Sequence, residues 1–201
     1  MSRILVLANA LNTVLLFRKE LIAQLKNCGH SITVVIPPCQ EEQKAELEQY
    51  GCQVVFKNIE RRGMNPIRDI KLLRCYLKLI REYQPDLVLT YTIKPNVYGS
   101  IAARWRGVPA LANVTGLGSA FQPEAGLLRR LVSFLYKISL KKATRVFFEN
   151  EGNRDVLVNA RIIKEEQAVV MRGAGVNLET YEFRDYPEES GCINFLFRDA
   201  L

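Results

Sequence analysis

The sequence has few of the residues that build metal centres and disulfide frameworks. Its 201 residues include one histidine, His30, and five cysteines that stand singly, without a CxxC pair. A lone histidine and scattered thiols do not provide the Cys/His ligand spacing of a zinc site. We therefore expect no bound metal. The cysteines are expected to be free thiols in a reducing cytoplasm, acting mainly as small buried hydrophobic residues.

Long apolar runs are also absent. None approaches the ~20 residues that a membrane-spanning helix needs. Met1 leads directly into an apolar run at 4–7, without the charged, apolar and cleavage regions of a signal peptide. With 48% hydrophobic and 24% charged residues, the composition is that of a soluble globular protein large enough for one substantial core.

Two nucleotide-binding motifs are missing as well. The loop at 8–13 does not read GxGxxG, and GxxxxGK[ST] does not occur. The later run Gly116-Leu117-Gly118 lacks the third glycine and follows the fifth predicted strand rather than the first. These absences argue against a dinucleotide-dependent dehydrogenase.

Short apolar, β-branched runs alternate with helical patterns along the chain. This alternation predicts an α/β fold, a doubly wound, Rossmann-like parallel sheet of about seven strands with helices on both faces. The predicted strands are 4–7, 32–36, 54–57, 87–90, 111–114, 145–148 and 168–171. The predicted helices are 14–28, 41–50, 67–83, 97–106, 126–142 and 153–159. Gly29 and Gly51 follow helices where a left-handed cap is expected.

Ligands of open parallel sheets bind beyond the carboxyl ends of the strands. The loops there hold much of the chain's Gly, Asn, Thr and Lys. Lys94 precedes a predicted helix and suits either a phosphate or a solvated loop. Asn96 and Asn150 stand at helix N-cap positions, and Asn150 with Glu149 suits a sugar hydroxyl too. The glycines of the loop at 172–175 suit either a ligand, another domain or a plain turn.

The net charge of +7 suits a polyanionic partner. Helix 126–142 contains no acid, and four of its five basic residues, Arg129, Arg130, Lys137 and Lys141, fall within an arc of about 120°. Apolar residues 128, 131, 132, 135 and 138 occupy the opposite side. The helix suits either an anionic membrane surface or the sheet, with a solvated basic face. A second basic stripe in helix 67–83 has no accompanying nucleic-acid motif, so no nucleic-acid partner is expected.

Several segments together resemble the amino-terminal half of a family 4 glycosyltransferase with the GT-B fold. The matching segments, in order, are 17–18, 91–103, 113–121, 135–137, 147–153 and 173–178. The resemblance is to bacterial enzymes that add a sugar to a polyprenyl-diphosphate-linked saccharide. It implies two facing domains, the first for the acceptor and the second for a nucleotide-sugar donor, here UDP-linked. It also implies retention of anomeric configuration, no metal cofactor, and a place on the cytoplasmic, inner face of the plasma membrane.

The resemblance divides the loop residues between two substrates. It assigns acceptor binding to Asn12, Thr13, Arg18, Lys94, Asn96, Thr115, Gly116 and Gly118. It assigns the donor-facing side of an interdomain cleft to Glu149, Asn150, Arg172, Gly173 and Gly175. Relatives have His or Glu where this chain has Thr115, so no catalytic acid or base is assigned.

The end of the chain differs from the rest in composition. Residues 177–190 are polar and indicate a linker, and 193–197 resemble a new strand without partners. We therefore predict a domain at 1–176, followed at 177–201 by a linker and the start of a missing donor-binding domain, which would leave this chain inactive alone. Two further functions stay open: a non-catalytic glycolipid- or protein-binding α/β module, and a basic nucleic-acid-associated α/β protein.

Overall fold

The computed structural model describes residues 1–59, 65–121 and 126–185. The strands are β1 (Arg3–Leu7), β2 (Ser31–Ile36), β3 (Gln53–Phe56), β4 (Leu87–Tyr91), β5 (Ala110–Val114), β6 (Arg145–Phe148) and β7 (Ala168–Val170). The α-helices are α1 (Leu11–Leu15), α2 (Lys19–Asn27), α3 (Glu41–Glu48), α4 (Pro66–Tyr83), α5 (Ser100–Trp105), α6 (Gly126–Leu140) and α7 (Glu151–Asn159). The predicted strand at 193–197 lies outside the described residues.

The strands form one parallel sheet in the order β3-β2-β1-β4-β5-β6-β7. This confirms the predicted doubly wound α/β fold, and every predicted strand end lies within one residue of the observed end. The agreement arises because strands buried on both faces are continuous apolar runs, which end where turn residues begin. Since the strand order reverses between β1 and β4, the loops that follow these strands diverge and open a crevice.

Side chains of each strand alternate between two cores. On β1, Ile4 and Val6 pack with α2 and α3, whereas Leu5 and Leu7 pack with α4 on the other face. This period of two explains why β1 has no polar position in its interior. The predicted caps are also confirmed, since Gly29 and Gly51 have φ of +83° and +84°.

The predicted helix 14–28 is wrong in one respect, because it is two helices. α1 ends at Leu15, α2 begins at Lys19, and Arg18 between them has the non-helical angles φ −136° and ψ 0°. The break exposes the side chain of Phe17 and turns that of Arg18 into the protein. The apolar period runs through this break, so the pattern does not reveal it.

The predicted helix 97–106 also starts differently. A π-helical turn, Pro95–Gly99, precedes α5 and lies close against the sheet. A Cβ atom on Gly99 would stand 2.9 Å from side-chain carbons of both Leu7 and Thr90. Glycine is therefore required for this close approach rather than for a special φ.

Candidate functional site

A cleft of about 570 Å³ lies at the carboxyl edge of the sheet. It is lined by Thr13, Phe17, Arg18, Thr115, Glu149 and residues 172–176. These residues come from α1, the α1–α2 break and the ends of β5, β6 and β7. The structure thus brings together members of both predicted sets, the acceptor-binding one and the donor-facing one. Asn12, Lys94, Asn96, Gly116, Gly118 and Asn150 do not line this cleft.

Arg18 is the most constrained side chain of the cleft. Its guanidinium Nη2 donates to Glu149 Oε1 at 2.9 Å, and Nη1 donates to the Phe17 carbonyl at 2.9 Å. The guanidinium carbon lies 5.0 Å from the centre of the Tyr91 ring, a cation–π distance. Burial raises the pKa of the Tyr91 hydroxyl, and the Arg18 charge partly opposes that rise. One side chain therefore connects the α1–α2 break with the ends of β4 and β6.

The loop after β7 forms the opposite wall of the cleft. Gly173 and Gly175 have φ of +79° and +81°, a conformation that only glycine adopts without strain. Neither glycine has a neighbouring atom within 4 Å of an added Cβ. Gly118 has φ +59° and shares this requirement, whereas Gly116 has no positive φ and faces open space. The structure thus provides no strain argument for a glycine at position 116.

Lys94 lies in an ion pair instead of the cleft wall. Its Nζ donates to Asp69 Oδ1 at 2.9 Å, with side chains only 12% and 15% exposed. The same carboxylate accepts from Tyr98, and burial followed by the Asp69 charge raises the pKa of that tyrosine. The interpretation of Lys94 as a solvated lysine is therefore wrong, whereas its predicted contact with a phosphate stays a prediction. Asp69 stands in the first turn of α4, and no local signal in the sequence pairs it with Lys94.

Asn96 is not the N-cap that its position suggested. The π-helical turn is preceded by Lys94, and Asn96 is fully buried inside it. Its Oδ1 accepts from Thr90 Oγ1 at 2.8 Å, and its Nδ2 donates to the Asn113 carbonyl at 2.8 Å. These bonds connect the ends of β4 and β5, so the amide has no open face toward a ligand, and its predicted acceptor contact is corrected to a structural role.

Asn150 does act as an N-cap, as predicted. Its Oδ1 accepts from the Asn153 amide at 2.8 Å at the start of α7. Asn12 is exposed on α1. The two asparagines therefore lie near the cleft edge along the chain without forming its surface.

The second candidate surface is the outer side of α6. Its buried side packs on the sheet through Val132, Tyr136 and Leu140. Leu131 and Ile138, which the sequence predicts on the core side, are exposed instead. The apolar residues cover a wider arc of the helix than the part that contacts the sheet. They belong to an outer apolar stripe of four side chains, 37% to 81% exposed: Leu127, Leu131, Phe134 and Ile138. Arg129, Arg130, Lys137 and Lys141 are all exposed as well, with Lys141 just beyond the helix end.

The predictions about the cysteines have mixed outcomes in the described part of the chain. Cys28, Cys39, Cys52 and Cys75 are free thiols, as predicted. Cys52 is buried and burial raises its pKa to about 11, but Cys28 is exposed, so the expectation of buried thiols fails there. Within residues 1–59, 65–121 and 126–185, no three His, Cys, Asp or Glu side chains group as metal ligands would. No helix in these ranges is both long and apolar enough to cross a membrane.

Sequence reasoning missed two groups that the site uses. Tyr91, beneath Arg18, and Phe17 enter the sequence analysis only as members of segments that resemble the family, without a predicted role in the cleft. No local pattern marks either residue as part of the cleft, because the apolar period continues through the α1–α2 break.

Comparison with known proteins gives three kinds of match. Residues 3–150 match the family described as glycosyl transferase 4-like. A curated relative from Campylobacter jejuni, N,N'-diacetylbacillosaminyl-diphospho-undecaprenol alpha-1,3-N-acetylgalactosaminyltransferase, is 30% identical over 183 residues, which are 89% of this chain and 48% of that protein. Another from Escherichia coli, UDP-Gal:alpha-D-GlcNAc-diphosphoundecaprenol alpha-1,3-galactosyltransferase, is 28% identical over 60% of this chain and 31% of that protein.

A solved glycosyltransferase from Rickettsia africae superposes with a TM-score of 0.64 at 19% identity, over 90% of this chain and 45% of that one. The chain thus spans half or less of the proteins it matches. Its fold is one Rossmann-like half of a GT-B glycosyltransferase, as the sequence predicted.

Proposed function

The chain belongs to the glycosyl transferase 4-like family, and we propose that it supplies the acceptor side of a sugar transferase. The substrates are a UDP-linked sugar donor and a polyprenyl-diphosphate-linked saccharide. Both curated relatives are named for diphospho-undecaprenol-linked saccharides, and one for UDP-galactose. The observation that carries the proposal is the cleft at the carboxyl edge, where loops from α1, β5, β6 and β7 converge.

The two walls of the cleft differ in chemistry. Arg172 and the glycine loop provide a cation and accessible backbone amides, which suit phosphate oxygens. Thr13, Thr115 and Glu149 provide hydroxyls and a carboxylate, which suit sugar hydroxyls. A facing donor-binding domain would close over the cleft and exclude water from the reacting sugar. Transfer then proceeds with retention of configuration and without a bound metal, and no residue of this chain is assigned as acid or base.

The acceptor is membrane-bound in this proposal, and the outer side of α6 is the surface that meets the membrane. Its apolar stripe has no partner among the described residues, and basic side chains flank it without a single acid. A helix of this kind lies in the plane of an anionic interface, with apolar groups inserted and Lys and Arg at the headgroups. The protein would thus act peripherally at the cytoplasmic face.

Charge reversal tests the membrane contact. Replacing Arg129, Arg130, Lys137 and Lys141 by Glu should abolish binding to vesicles that contain phosphatidylglycerol, since each basic group near such a surface contributes about 1 kcal/mol. The matched control reverses four of the five exposed basic residues of α4, namely Lys71, Arg74, Lys78 and Arg81. Equal loss in both variants would mean that net charge alone acts, and unchanged binding would leave α6 as a core-packing helix.

A binding and turnover assay tests the function itself. The purified 201-residue chain should bind a short-chain polyprenyl diphosphate that carries an N-acetylhexosamine, measured by calorimetry, and should not transfer sugar from UDP-sugars alone. Salt-dependent binding of oligonucleotides instead would favour the nucleic-acid alternative. Turnover by this chain would contradict the assignment of donor binding to another domain.

A further inference from the structure

The cleft contains a single acidic side chain among the described residues that line it, Glu149. Its Oε1 accepts from Arg18, and no described residue bonds its Oε2. The Glu149 side chain is 27% exposed, whereas that of Arg18 is 6% exposed. The carboxylate is therefore fixed on its inner side and open toward the cleft.

Arg18 is unsuited to bind an anionic ligand directly. Its charge is already balanced by Glu149, and the guanidinium is enclosed between Tyr91 and the Phe17 carbonyl. A buried guanidinium that lost this carboxylate would remain without a counter-charge, which is costly. The pair is therefore a unit in which Arg18 sets the position and orientation of the Glu149 carboxylate.

The chemistry of an open carboxylate selects one part of the acceptor. An ionised carboxylate only accepts hydrogen bonds, so it receives hydroxyl donors and repels diphosphate oxygens. We infer that Glu149 binds a hydroxyl of the saccharide, that Arg18 is its positioning residue, and that the pair recognises the sugar rather than the lipid diphosphate. This assignment rests on the proposed function of the cleft. It also transfers Arg18 from acceptor contact to positioning, and Glu149 from the donor-facing set to acceptor binding.

Two probes separate sugar recognition from diphosphate binding. One is a short-chain polyprenyl diphosphate that carries an N-acetylhexosamine, and the other is the same diphosphate without the sugar. Glu149→Gln preserves the shape and can still accept from Arg18, so the fold should be retained. We expect this variant to lower the affinity for the sugar-bearing probe about ten-fold, which corresponds to the loss of one charge-assisted hydrogen bond. The affinity for the sugar-free probe should be unchanged.

Three further variants sharpen the test. Glu151→Gln changes an exposed carboxylate two residues away and should alter neither probe. Arg18→Met should reproduce the loss seen in Glu149→Gln, and the double variant should lose no more than either single one, because the two residues act as a unit. Arg18→Lys keeps the charge and should recover part of the sugar-dependent affinity, which a purely structural role for Arg18 would not predict.

The outcomes distinguish this inference from the proposed function. If Glu149→Gln weakens both probes equally, or neither, the sugar assignment is overturned while acceptor binding stands. The same holds if the unmodified chain binds the two probes equally well. If the unmodified chain binds neither probe, the proposed function itself fails, and the assignment of Glu149 fails with it.

Discussion

Two partly buried ion pairs at the same edge of the sheet show how differently similar contacts are used. Arg18–Glu149 and Lys94–Asp69 both have a 2.9 Å nitrogen–oxygen distance, and each joins distant parts of the chain. The first lines the cleft, and the second lies outside its lining. In the first pair the side-chain exposure is uneven, 6% for Arg18 and 27% for Glu149. In the second pair both side chains are nearly covered, Lys94 at 12% and Asp69 at 15% exposed.

The difference lies in what remains open after pairing. Asp69 accepts from both Lys94 and Tyr98, so these contacts fix the loop after β4 to the start of α4. Glu149 keeps one carboxylate oxygen toward the cleft. The position of a cation in a loop at the binding edge therefore does not by itself identify it as a ligand contact. Its ion-pair partner also determines which contacts it makes.

The largest effect is expected for Lys94→Met. It leaves the Asp69 carboxylate covered and without its counter-charge, and breaking such a pair costs about 3 kcal/mol of unfolding free energy. Urea denaturation of the chain measures this. The double variant Lys94→Met/Asp69→Leu should recover much of the loss, because no buried charge is left. If Lys94→Met lost less unfolding free energy than Arg18→Met, the expected ranking of the two ion pairs would be wrong.

A smaller loss, about 2 kcal/mol, is expected for Arg18→Met. The exposed side of Glu149 can be hydrated, which reduces the penalty for its lost partner, although the contact with the Tyr91 ring is lost as well. Urea midpoints measured side by side with Lys94→Met give the ranking. Arg18→Lys controls for charge and should lose less than Arg18→Met.

The sequence predicts the sheet well and these pairs poorly, for one physical reason. Strands such as β6 are specified by their own apolar residues, which is local information. The 131-residue separation of Arg18 and Glu149, and the 25-residue separation of Lys94 and Asp69, are products of the tertiary fold. The sequence therefore predicts where the cleft loops lie along the sheet edge, but it does not predict which of their side chains face the cleft.

The glycine loop extends the comparison to an uncharged part of the same cleft. Gly175→Ala should cost about 1 kcal/mol, because φ of +81° is strained for alanine although nothing crowds the new methyl. Gly116→Ala is the matched control, with open space and no positive φ, and should be neutral. Urea denaturation compares the two. Equal losses in the two variants would contradict the argument that the positive φ keeps position 175 glycine.

The smallest effect is expected for a third pair, Arg3–Asp86, whose side chains are about half exposed and 3.7 Å apart. The Arg3 amide donates to Asp86 at 2.7 Å, and this bond, with the Arg3 charge, holds the pKa of Asp86 below its usual value. A carboxyl with a lowered folded-state pKa stabilises the protein above its unfolded-state pKa, and this contribution is lost as the pH falls through the folded-state value. Asp86→Asn should thus cost less than Arg18→Met at pH 7, and the difference from the unmodified chain should shrink as the pH falls from about 5 toward 3. Urea denaturation across this range tests both points. A difference that stayed constant with pH would mean that Asp86 acts through packing instead of charge.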